Sequence, residues 1–124
     1  MTVYLAHSNG QVMRWQVGSQ PQQIGSHNAP VKDVFSFANQ QGTFLVSGGW
    51  DGVVKFFKIN QGMAQQIGET NLYKPVHYMS GVYPILVTAH SEKFVHIWNL
   101  ENLQQSFNPI GIRQSTLAYA TSAI

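Results

Sequence analysis

LVSGGWDGVVKFFKI, from Leu45 to Ile59, decides how this chain is read. A short apolar run reaches a Trp-Asp-Gly turn and returns through a second apolar run. Asp51-Gly52 is a strong hairpin signal, because a tight reversal needs positive φ and these two residue types tolerate it. β-Branched and aromatic residues fill both arms, as paired strands favour. The pattern recurs without gaps in VYLAHSNGQVMRWQV (Val3 to Val17) and LVTAHSEKFVHIWNL (Leu86 to Leu100). The copies are offset by 42 and then 41 residues, and their second arms close on Trp15, Phe57 and Trp98.

Repetition at this period marks a protein built from similar supersecondary units. In the middle unit a strand is expected ahead of the hairpin at Pro30 to Phe37, followed by the connection Ala38-Asn39-Gln40-Gln41-Gly42. Another is expected at Met63 to Gly68, after the turn Asn60-Gln61-Gly62. Four short antiparallel strands in about 42 residues is the pattern of one β-propeller blade. A β-sandwich also has many short strands, but the fixed period and the aligned aromatics argue against it. The expected fold class is all-β: a propeller segment of about three blades. Residues 1–28 form a partial blade, 29–71 and 72–110 full blades, and 111–124 the first strand of a next one. Propellers close their ring with about four to eight blades. Terminal sheets of a three-blade segment therefore keep open edges, through which the chain is expected to self-associate.

Composition fits a packed domain, with 44% hydrophobic residues, but only 10% are charged. Seven Lys and Arg against five Asp and Glu give a formal charge of +2. The cations are scattered, so charge alone does not argue for nucleic acid. Without cysteine there is neither disulfide nor thiolate chemistry. No apolar run approaches the roughly 20 residues that span a bilayer, and no membrane partner is expected. A nuclear or cytoplasmic location is the expectation.

Residues Gly25 to Ile59 resemble a WD repeat, with a His opening the blade, a Ser on the second strand, an Asp in the hairpin turn and an aromatic on the third strand. In that family the four form a hydrogen-bonded structural tetrad, which the resemblance places at His27, Ser47, Asp51 and Phe57. Phe57 stands where the family has Trp and brings no indole N–H. The fold class implied is thus a WD40-type propeller. The chain further resembles the WD-repeat messenger-RNA export factors of the nuclear pore. That likeness rests on HNAPVK (His27 to Lys32), SGGWDGVVKFF (Ser47 to Phe57), Leu72, Val76 and Met79 ahead of Tyr83-Pro84, and Leu100-Glu101-Asn102 with Phe107. A sister family, the WD-repeat protein of the mitotic spindle checkpoint that binds a kinetochore peptide, shares the first two motifs but usually lacks the Tyr-Pro pair. The resemblance implies a non-enzymatic scaffold of the nucleus and nuclear pore that binds a nucleoporin peptide and ribonucleoprotein. Gly111 to Ser115 depart from the export family's basic segment, leaving Arg113 as the one cation there.

His27, Ser47 and Asp51 are also the residue types of a hydrolase triad. A nucleophilic triad needs an exposed hydroxyl, an oxyanion hole and a cleft, whereas this spacing puts the three at a blade corner; no catalytic residue is assigned. The five histidines, His7, His27, His77, His90 and His96, show no metal-ligand spacing, and no metal or cofactor is expected. SGGWDG lacks the spacing of a phosphate-binding loop. Trp50, beside the turn, is a candidate either for anchoring a partner or for packing on the neighbouring blade. Lys55, Lys58, Lys74 and Arg113 complete the candidate partner contacts, the three lysines being those expected to serve any direct contact with RNA.

Overall fold

The computed structural model describes residues 2–101 together with 113 and 114. Among these, three antiparallel sheets follow one another along the chain. The first holds β1 (Thr2–Ala6), β2 (Gln11–Gln16) and β3 (Gln22–Ser26). The second holds β4 (Val31–Asn39), β5 (Gly42–Gly49), β6 (Val53–Asn60) and β7 (Met63–Asn71). The third holds β8 (Val76–Val82), β9 (Ile85–His90), β10 (Phe94–Asn99) and β11 (Arg113–Gln114). Each is a meander in which neighbours in sequence are neighbours in the sheet.

The repeat seen in the sequence is a repeat of register. Val3 pairs with Trp15, Leu45 with Phe57 and Leu86 with Trp98. Gly10 and Gly52 take φ of 93° and 82° at the hairpin turns, a conformation that costs glycine little. Their counterpart in the third hairpin is Lys93, held at φ 59° beside Glu92 at 64°.

Consecutive sheets are stitched by main chain. The carbonyl of Gly10 accepts the His27 amide at 2.7 Å, and that of Gly52 accepts the Leu72 amide at 2.9 Å. Farther along each connection, the Trp50 amide donates to Pro30 and the Ser91 amide to Pro75. His27-Asn28-Ala29-Pro30 and Leu72-Tyr73-Lys74-Pro75 are thus equivalent segments, although they share only the proline.

Sheet two is covered on both faces. Leu45, Phe57 and Val31 pack with Val12 of sheet one. Phe44, Val46, Val54 and Phe56 pack with Leu72, Val76, Met79, Leu86, Phe94 and Trp98 of the third unit. This double burial explains why β5 reads as a continuous run rather than an alternating one. Each such Leu or Phe contributes about 1.5–3 kcal/mol relative to exposure. The outward faces of sheets one and three carry exposed apolar side chains, Leu5 and Trp15 on one, Val82, Ile85 and Ile97 on the other.

One strand departs from expectation. Residues 111–124 were expected to open a further blade, but Arg113–Gln114 pairs with Val95 and Phe94 and completes sheet three as its fourth strand. The edge of β10 pairs with these two residues, and polar sequence gives no apolar alternation to announce it. The rest of that stretch lies outside the described residues.

Candidate functional site

The second sheet brings His27, Ser47 and Asp51 together at its turn end. His27 stands in the connection before β4, Ser47 on β5 and Asp51 in the turn before β6. His27 Nε2 lies 2.8 Å from Ser47 Oγ, and Nδ1 lies 3.1 Å from Asp51 Oδ1. The Asp51 carboxylate also accepts the amides of Asn28 and Val53. Burial holds the His27 imidazole below its ordinary pKa, against the raising effect of Asp51. The ring is therefore neutral at pH 7, with Nδ1–H donating to Asp51 and Nε2 accepting the Ser47 hydroxyl. Ser47 is 0% exposed. A sealed hydroxyl has no approach for a substrate, so the three residues clamp a loop, a strand and a turn together.

Phe57 lies in the apolar cluster with Val12, Val31 and Leu45. Its ring covers Gly25 of β3 so closely that a Cβ there would meet it at 2.4 Å. It makes the contact between sheets that the repeat requires and donates nothing to Ser47.

Sheet three carries a second network built differently. Leu72 occupies the place of His27, and the imidazole comes instead from His90, at the position of Gly49. A Cβ on Gly49 would meet His27 Nδ1 and Asp51 Oδ1, each at 2.7 Å; the two sheets fill the same space from opposite sides. His90 Nε2 lies 2.8 Å from Thr88 Oγ1, and His90 Nδ1 lies 2.8 Å from the Lys74 carbonyl. Trp98 Nε1 donates to Thr88 Oγ1 at 2.9 Å. A carbonyl only accepts, so the proton direction is fixed: Trp98 to Thr88, Thr88 to His90, His90 to Lys74. Burial lowers the pKa of His90, and that of His96 beside it falls to about 4 for the same reason, with His90 adding to the effect. In the sequence His90 stands out only as one of five histidines without metal-ligand spacing. At the 41-residue offset of the repeats His90 stands where Gly49 does; that Leu72 takes the place of His27 follows only from their matching bonds to Gly52 and Gly10.

The turn end of sheet two also exposes aromatic surface. Trp50 is 47% exposed, with Lys32 Nζ 5.0 Å from its ring centroid and His77 edge-on at 6.4 Å. Tyr73, 84% exposed, follows from the next connection. Its backbone nitrogen lies 3.0 Å from where a Cβ on Gly52 would stand, which ties it to the same turn. Trp50 therefore both touches the third sheet through His77 and keeps half its surface free.

The candidate lysines do not gather there. Lys55 donates to the Ser26 carbonyl, Lys58 reaches over Phe44, and Lys74 pairs with Glu92 at 2.7 Å. Lys55 and Lys58 leave opposite faces of β6. Arg113 is described only as part of β11. Trp15 lies on the outward face of sheet one, half-exposed, and its indole donates to the Ser19 carbonyl.

Among solved structures, the WD40 β-propeller domain of Doa1 superposes over 82% of this chain and 33% of its own with a TM-score of 0.63, at 13% identity. These are WD40-type propeller blades. The WD40 repeat protein poxJ of Penicillium oxalicum is 27% identical over 104 residues, 82% of this chain and 30% of that one. The mRNA export factor rae-1 of Caenorhabditis elegans is 26% identical over 102 residues, 81% of this chain and 27% of that one. The chain thus spans about 30% of the length of such curated WD40 relatives. No model of a known protein family matches it. A WD40 fold with export-factor relatives points to a non-catalytic scaffold.

Proposed function

We propose that this chain is part of a messenger-RNA export scaffold that acts at the nuclear pore, holding a nucleoporin peptide on its turn end. The observation that carries this reading is the half-exposed Trp50, with Lys32 over its ring and Tyr73 beyond the adjacent turn, on a rigid sheet corner. Exposed aromatics with an adjacent cation make effective anchors, because they offer large area at small entropic cost. Similarity to an mRNA export factor supports a setting in the nucleus and at its envelope. The buried His27–Ser47–Asp51 chain acts in this reading as the support that fixes the turn, not as a reaction centre. Contact with ribonucleoprotein runs through protein partners, since Lys55, Lys58 and Lys74 are each held within the fold.

The test is binding of nucleoporin-derived peptides to the full-length protein, with Trp50→Ala as the variant. The expected result is at least a tenfold loss of affinity with unchanged thermal stability. Unaltered peptide binding by a folded Trp50→Ala protein would remove this surface from the proposal. Binding of kinetochore-derived peptides alone would favour the checkpoint function instead.

A further inference from the structure

Sheets one and two border an open polar cleft of about 470 Å3 at the end opposite to Trp50. Arg14 of β2 enters it, and Gln16, Ser19, Gln20, Gln22 and Gln61 line it. No apolar side chain contributes to its wall. Arg14 Nε is sealed from solvent and has no hydrogen-bond partner. Among the described residues the side chain makes one hydrogen bond, from Nη2 to Gln16 Oε1 at 3.4 Å. At Gly62, in the β6–β7 turn, a Cβ would lie 3.4 Å from Nη1.

Among the described residues no acidic side chain pairs with the cation. Asp51 is bonded to His27, Glu92 to Lys74 and Glu69 to Gln66, while Asp33 accepts the amides of Val34 and Met79. Glu101, the last acid, lines a different cavity with Tyr83 and Asn39. A guanidinium is a rigid fork of donors that remains charged at every physiological pH. Partly withdrawn from water and unpaired, it favours an incoming oxyanion, and a planar carboxylate matches the fork with two parallel bonds. Carboxamides along the walls can donate to and accept from a peptide backbone.

The geometry points to a binding site for an acidic peptide, in which Arg14 Nη1 and Nη2 grip a carboxylate and the glutamines hold the flanking main chain. Nucleic acid is the weaker match, since the cleft supplies one cation and no aromatic platform for a base. The site is separate from the Trp50 surface and stands without it.

Gln22 lies directly across from Arg14 in the β2–β3 pairing, which provides a variant that keeps the fold. Gln22→Glu places a carboxylate beside the guanidinium and occupies the site from within. The experiment follows the Arg14 Nε–H signal by NMR in the full-length protein. It titrates a Gly-Ser-Glu-Ser-Gly peptide, amidated at its C-terminus, against its Gln counterpart. The Glu peptide should shift the signal and bind at least tenfold more tightly. Gln22→Glu and Arg14→Gln should each abolish that preference, while Lys93→Gln, on a distant turn, should keep it. Equal binding of both peptides, or a preference that survives in Arg14→Gln or Gln22→Glu, overturns the proposal. So does a shift produced at lower concentration by inorganic phosphate or by a single-stranded oligonucleotide.

Discussion

His90 fills in sheet three the space that His27 fills in sheet two, although one is carried by a strand and the other by a loop. In both cases the imidazole takes a hydroxyl proton from the second strand of its sheet, Thr88 or Ser47. The second nitrogen donates to Lys74 O in one case and to Asp51 in the other. The arrangement of bonds outlasts the residue position that supplies the ring.

This equivalence predicts compensation. His90→Gly removes the acceptor of the Thr88 hydroxyl and leaves a void, and is expected to cost about 2–4 kcal/mol. Adding Leu72→His should recover part of that loss, because an imidazole can then enter from the loop. Urea denaturation of the two single variants and the double variant measures the coupling; strictly additive effects would show that the positions are not exchangeable. Asp51→Ala, which strands a buried His27 N–H, should destabilise by about 2 kcal/mol.

Acid should weaken the fold well before the carboxylates titrate. Unfolded histidines protonate around 6.5, whereas folded His96 resists down to about 4 and His27 and His90 are lowered in the same direction. Between those values the unfolded chain binds more protons, so their contribution is complete above pH 6.5 and falls as pH drops toward 4. The melting temperature should be lower at pH 5.0 than at pH 7.5, and His96→Phe should reduce the difference. A melting temperature that rises on acidification would contradict these environments.

Lys93 holds the left-handed conformation that Gly10 and Gly52 hold in the other hairpins. A side chain there costs roughly 1–2 kcal/mol, partly offset by the greater unfolded freedom of glycine. Lys93→Gly is therefore expected to stabilise the protein by about 0.5–1 kcal/mol, measured by thermal or urea unfolding.

The outward faces of sheets one and three expose Leu5 and Trp15 at one end and Val82 and Ile97 at the other. The 124-residue chain should therefore associate in solution, and Leu5→Lys with Ile97→Lys should shift it toward monomer in light scattering. A monodisperse wild-type monomer would overturn this expectation.

Hairpins were legible because turn chemistry and strand composition are local: Asn9-Gly10 and Asp51-Gly52 announce themselves. The meeting of His27, Ser47 and Asp51 was implied by the resemblance of Gly25 to Ile59 to a WD repeat, whose tetrad carries distance information that single residues lack. What stayed hidden depends on the third dimension. Nothing around His90 shows that it replaces a loop histidine, since Leu72 must first be placed opposite Gly52. β11 is held by main-chain bonds to β10, which any sequence can make. That no acidic side chain pairs with Arg14 among the described residues emerges only once all five have been located.

The bonds from the His27 amide to Gly10 and from the Leu72 amide to Gly52 use no side chain on either side. Histidine at one junction and leucine at the next are therefore held by the same main-chain bond. The fastening is inherited through the backbone, and side chains are left free to diversify. This is a physical basis for modularity: each unit meets its neighbour through the same fastening, whatever chemistry its own corner carries.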